Sequence, residues 1–174
     1  WARSVVSVSR GQHDPMSAAC SADLSFTTDN LQGLSSRMAN SGGAEWTRHV
    51  VHRRHAYFAV LDGVRIGETP PEGDVFQLVC RWSSYHPGEM LDSRHFTALD
   101  GGNGTELHII GADRLASDVT LEPRDGASRP TMLRQYQSGR FRQGDQACFR
   151  NVLHASNDAH RRALDVRPFG QAGV

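Results

Sequence analysis

His95-Phe-Thr-Ala-Leu-Asp-Gly-Gly-Asn-Gly-Thr-Glu-Leu-His-Ile-Ile-Gly111 sets the texture of the whole chain. One short apolar run, His95 to Leu99, ends at Asp100-Gly101-Gly102, and a second, Leu107 to Ile110, closes at Gly111. Asp and Gly are turn residues because they tolerate the backbone angles that reverse a chain. The same rhythm extends in both directions. Tyr57 to Leu61 closes on Asp62-Gly63, and Val75 to Trp82 carries Phe76, Leu78, Val79 and Cys80. Val119 to Leu121 precedes Pro123 and Asp125-Gly126, and Ala147 to Leu153 is the last such run. Short apolar runs broken by turn residues about every 10 to 20 positions predict strands packed as layers. The expectation is a mostly β, single-domain β-sandwich with short peripheral helices.

The first 45 residues are rich in Ser, Gly, Ala and Asn and read as a loosely ordered N-terminal segment before a sandwich domain over 46–174. Within it, Val5, Val6 and Val8 suit one short strand. Leu31, Leu34 and Met38 recur at helical spacing behind a Thr28 or Asp29 cap, which predicts a helix between Asp29 and Ala39. Asn40 to Ala44 reads as a flexible joint, and Asp158 to Val166 is a second helical candidate.

At 174 residues the chain suits one domain. Its 19 basic and 19 acidic side chains cancel, which argues against a nucleic-acid binder that works by overall charge. Arg134, Arg140, Arg142 and Arg150, interleaved with Tyr136, Phe141 and Phe149, could form a local patch for RNA or single-stranded DNA, though a solvated strand face is the simpler reading. All 19 cations are arginine, so chemistry that needs a Schiff-base lysine is excluded. No apolar run reaches the roughly 18 to 20 residues of a membrane-spanning helix, and no membrane partner is expected. Cys20, Cys80 and Cys148 are odd in number and widely spaced, which disfavours a disulfide scaffold or a zinc ribbon. The sequence does not fix the compartment; the cytoplasm is the default expectation.

His49, His52 and His55 form a histidine row. Neutral imidazole binds divalent metals, so this row is a candidate site for one divalent metal ion. The spacing puts the three on one side of a helix but on alternating faces of a strand, and the neighbours Val50, Val51, Ala56 and Tyr57 favour strand or loop. Gly73-Asp74 and Gly144-Asp145, followed by His86 and His154, resemble the second motif of the cupin family, which implies a metal-dependent enzyme on a β-barrel. The segment Asn151-Val152-Leu153-His154-Ala155-Ser156 resembles the active-site histidine segment of nucleoside diphosphate kinases, without that family's lysine. His86, His95, His108 and His154 could join a site only through folding.

A longer pattern runs from Ser83-Ser84-Tyr85-His86 to Asn103-Gly104-Thr105, then Gly111 and the strand-like Val119-Thr120-Leu121. In order and spacing, residues 64 to 126 resemble a forkhead-associated (FHA) domain, a β-sandwich that binds phosphothreonine peptides. The resemblance implies that Ser83 offers its hydroxyl to the phosphate and that Asn103 holds the peptide backbone. It also implies that His86 and Thr105 brace the loops. Ser84 stands where the family often has arginine, and Arg81 and Arg65 are the nearest cations. Glu68 follows Ile66-Gly67 where the family carries a phosphate-contacting arginine, and a carboxylate there repels a phosphate. The leading expectation is therefore a phosphopeptide recognition module with a phosphorylated protein or peptide as partner and no cofactor. The alternatives are the metal enzyme and a structural β-sandwich that assembles with itself.

Overall fold

The computed structural model describes residues 3–10, 20–41, 43–68, 75–100, 102, 104–113, 115–121, 131–157 and 166. They form twelve strands: β1 (Arg3–Arg10), β2 (Cys20–Thr27), β3 (Leu31–Ser41), β4 (Ala44–Arg53), β5 (Tyr57–Ile66), β6 (Phe76–Ser84), β7 (Gly88–Met90), β8 (His95–Asp100), β9 (Thr105–Gly111), β10 (Ala116–Leu121), β11 (Thr131–Gly139) and β12 (Gln146–Asn157). A four-stranded sheet runs β1-β6-β11-β10, and an eight-stranded sheet runs β2-β3-β4-β5-β12-β9-β8-β7. Every strand pairing among the described residues is antiparallel. The two open sheets form a sandwich rather than a barrel, which corrects the cupin-like expectation.

Period-two alternation builds the core. Along β6, Phe76, Leu78, Cys80 and Trp82 point inward, and along β12 Ala147 and Phe149 do the same. Val60, Val64 and Ile66 of β5, Phe96 and Ala98 of β8, and Ile109 of β9 complete the layer from the large sheet. Leu133 joins them from β11. Burying each of these larger side chains contributes about 1.5–3 kcal/mol.

Two polar links cross this core. Gln135 of β11 and Asn151 of β12 exchange amide hydrogen bonds, Gln135 Nε2 donating to Asn151 Oδ1 at 2.8 Å and Asn151 Nδ2 to Gln135 Oε1 at 3.0 Å. That pairing satisfies both amides between the sheets, as buried polar groups require. Asp62 is fully buried and accepts Arg48 Nε at 2.7 Å, Arg48 Nη2 at 2.9 Å and Trp46 Nε1 at 2.9 Å. The Arg48 guanidinium lies 4.9 Å from the Trp46 ring centre and 5.7 Å from that of Trp82. Burial, with Asp62 adding to it, pushes the Cys80 thiol far above its ordinary range and keeps it protonated.

No helix occurs among the described residues. The helix expected between Asp29 and Ala39 is a strand. Gly33 weakens a helix there, and β3 gains a full antiparallel ladder with β4 from Leu31↔Arg53 to Met38↔Trp46. Asn40 to Ala44 is the site of a tight β3–β4 reversal that pairs Ser41 with Ala44, with Gly43 at a φ of 80°. The segment expected to be loose thus supplies β1 to the small sheet and β2 and β3 to the large one. The candidate helix Asp158 to Val166 falls outside the described residues except for Val166.

Candidate functional site: a histidine row on the large sheet

The outer face of the large sheet carries three histidines from three adjacent strands. Antiparallel register puts Thr97 (β8), His108 (β9) and His154 (β12) opposite one another, with His95 diagonal to His108. A hydrogen-bonded chain runs through His95 and His108. His95 Nε2 is 2.9 Å from His108 Nδ1, and His108 Nε2 is 2.9 Å from Ser156 Oγ and 3.3 Å from Glu106 Oε2. His154 stacks over His108 with ring centres 6.0 Å apart.

The chemistry of the partners fixes the protons. A backbone carbonyl only accepts, so His154 Nδ1, 2.9 Å from the Ala56 carbonyl, carries a proton and donates it. His154 Nε2 is buried and has no hydrogen-bond partner among the described residues. The Thr97 hydroxyl, in register on the far side of His108, is buried and unpartnered as well. For His108, donation from Nε2 to Ser156 and Glu106 leaves Nδ1 to accept from His95. A second proton on His108 would face the His95 N–H. Burial first, then His95 and His154, pull its pKa below the ordinary histidine value, against an opposing pull from Glu106. His108 is therefore a neutral imidazole that relays between two neighbours, which is the arrangement of a proton-transfer group.

The β7–β8 turn positions the open end of the row. Asp92 Oδ1 accepts the backbone N–H groups of Arg94 at 2.7 Å and His95 at 3.0 Å, and these bonds hold its carboxyl below the usual range. Elsewhere on the same sheet face, Gly63 opens a groove of about 300 Å³ between Thr47 and Cys148, with Arg65 and Glu45 at its edge.

The expected site residues are distributed differently. Ser83 and Ser84 are neighbours in β6 and face opposite ways. Ser84 is buried, and its Oγ accepts the His86 backbone N–H at 3.1 Å. Ser83 and Arg81 lie on the outer face of the small sheet, in register with Met132 and Arg134. His86 lies in the turn after β6, 4.0 Å through Nδ1 from Asp100 Oδ1, and Asp100 pairs with Thr105. The fold thus gathers Ser84, His86 and Thr105 at one end, around a carboxylate. Asn103 lies outside the described residues. Arg65 and Glu68 are exposed at the end of β5 and just beyond it.

His49 and His52 point to opposite faces of β4, and His55 occupies the β4–β5 turn at a φ of 56°. His52 stacks flat on Phe58, with ring centres 4.2 Å apart. The three do not converge, and among the described residues no group of three or more His, Cys, Asp and Glu is placed to hold a metal ion. The arginine-aromatic stretch also divides: Arg134 pairs with Asp118, Arg150 with Asp113, and Phe149 enters the core.

No protein-family model and no curated protein matches the chain. Solved structures do. Heparan sulfate lyase HepC from Pedobacter heparinus superposes with a TM-score of 0.68 at 12% identity, over 90% of this chain and 24% of that one. The heparinase III gene product BT4657 superposes with a TM-score of 0.64 at 13% identity, over 88% of this chain and 24% of that one. At this identity the likeness shows the fold alone, and the chain spans about a quarter of each of these proteins.

Proposed function

We propose that this chain is the β-sandwich domain of a lyase-type protein acting on an acidic polysaccharide, with His95, His108 and His154 as its proton-handling row. The observation that carries the reading is the superposition on heparan sulfate lyases over nearly the whole chain. The row supports it on chemical grounds. Elimination from a uronate needs a base for a carbon-bound proton and an acid for the leaving oxygen, and an imidazole serves as the one when neutral and as the other once protonated. Calorimetric titration of the purified chain with heparan sulfate, against an uncharged glucan, tests the reading. Saturable binding of the sulfated chain alone is expected; equal or absent binding of both contradicts it.

The phosphothreonine reading rests on its sequence resemblance, and Asp100 beside His86 weighs against a phosphate there. A phosphothreonine peptide library is its test: Ser83→Ala or Asn103→Ala is expected to abolish any binding that the reading predicts.

A further inference from the structure

We infer that the outer face of the four-stranded sheet carries a second, separate binding site, in which Arg81, Arg134 and Ser83 hold the sulfate or carboxylate groups of an acidic polysaccharide. The inference rests on the polysaccharide reading and adds a surface to it, on the opposite side of the sandwich from the histidine row.

The register creates the site. Arg81 of β6 stands directly opposite Arg134 of β11, where side chains on one sheet face begin about 4.5–5.5 Å apart. Two guanidiniums so placed repel each other. Among the described residues one carboxylate faces them, Asp118 of β10, opposite Arg134 on its other flank. It is committed: Arg134 holds it through Nε at 2.7 Å and Nη2 at 2.6 Å, and the Tyr136 hydroxyl donates to it at 3.0 Å. Arg81 has no ion-pair partner among the described residues. Its planar fork suits a sulfate or carboxylate, which would also relieve the like-charge contact.

The surroundings suit a sugar. Ser83 is two residues along β6 on the same face and adds a hydroxyl. Tyr136 is two residues along β11, its ring held by the Asp118 hydrogen bond, with the Arg134 guanidinium 5.6 Å from the ring centre. A held ring beside two arginines on the outer sheet face suits a chain of rings bearing repeated anions. A phosphoamino acid calls instead for a cradle of loop donors.

The test measures heparan sulfate affinity by calorimetry for the unaltered chain, Arg81→Ala, Ser83→Ala and the control Arg53→Ala/Arg54→Ala, whose exposed arginines lie at the β4–β5 turn. The expected result is about a tenfold loss for Arg81→Ala, a smaller loss for Ser83→Ala, and little change in the control. Thermal unfolding without ligand keeps the result interpretable: Arg81→Ala removes a repulsion and is expected to melt no lower than the unaltered chain. Should that variant fail to fold, Arg81→Gln replaces it. Undiminished binding by Arg81→Ala overturns the site and leaves the polysaccharide reading standing. Failure of the unaltered chain to bind heparan sulfate overturns both. Arg81-dependent capture of a phosphothreonine peptide in place of the polysaccharide overturns the assigned occupant.

Discussion

Two polar networks cross the large sheet on opposite faces, and they resolve burial in opposite ways. On the inner face Asp62 meets Arg48 and Trp46 with complementary donors, a fixed charge pair sealed between the sheets. On the outer face His95, His108 and His154 form a row of imidazole rings that ends in a buried nitrogen with no partner among the described residues. The first has nothing left to bind and serves the fold. The second keeps unused capacity for a proton or a hydrogen bond, the property that separates a candidate site from a structural link.

The contrast breaks first at Asp62. Asp62→Ala removes the buried acceptor that Arg48 and the Trp46 N–H share and is expected to cost about 3–5 kcal/mol, read as a lowered urea midpoint. His154→Ala should cost less, because it gives up one neutral hydrogen bond, to the Ala56 carbonyl, and strands no charge in the core. Next in size is Gly88→Ala. An added Cβ would lie 2.7 Å from the Thr97 carbonyl oxygen and 2.3 Å from the Phe96 ring, beside the strand that bears His95. About 1–3 kcal/mol is expected in the same measurement, together with displaced His95 resonances. Of similar or smaller size is the Gln135–Asn151 link. Either single change to Ala should cost about 1–3 kcal/mol, while the double change costs less than their sum, as a double-mutant cycle will show.

The smallest effect separates the networks by pH. The folded-state pKa of His108 is lowered, so the unfolded chain binds the proton more readily. The stability this contributes is complete above the ordinary histidine value of about 6.5 and is lost as the pH falls below it. Urea midpoints at about pH 7.5 and pH 5 should therefore diverge less in His108→Gln than in the unaltered chain.

Much of the fold was legible because apolar runs alternate with turn residues. Tyr57 to Leu61, Val75 to Trp82, His95 to Leu99, Leu107 to Ile110, Val119 to Leu121 and Ala147 to Leu153 all coincide with strands. β3 was misread because Leu31, Leu34 and Met38 fit a helical period, and the ladder with β4 that decides the matter is a long-range contact. β11 escaped notice because Arg134, Gln135 and Tyr136 hide its alternation, with the buried amide of Gln135 reading as surface. The site was harder. The histidine row that catches the eye, His49, His52 and His55, is dispersed by strand geometry. The row that forms unites residues up to 59 positions apart, and only the β8-β9-β12 register brings them together. Arg81 and Ser83 were legible as candidates, but the partner Arg134 that gives them meaning comes from another strand.

The most direct test of the central claim is a pH titration of the imidazole nitrogens by nuclear magnetic resonance. His108 is expected to titrate below the ordinary histidine range, and the neutral form of His154 to carry its proton on Nδ1, facing the Ala56 carbonyl. A His108 that takes up its proton at or above that range, or a neutral His154 whose proton sits on Nε2, would contradict the claim.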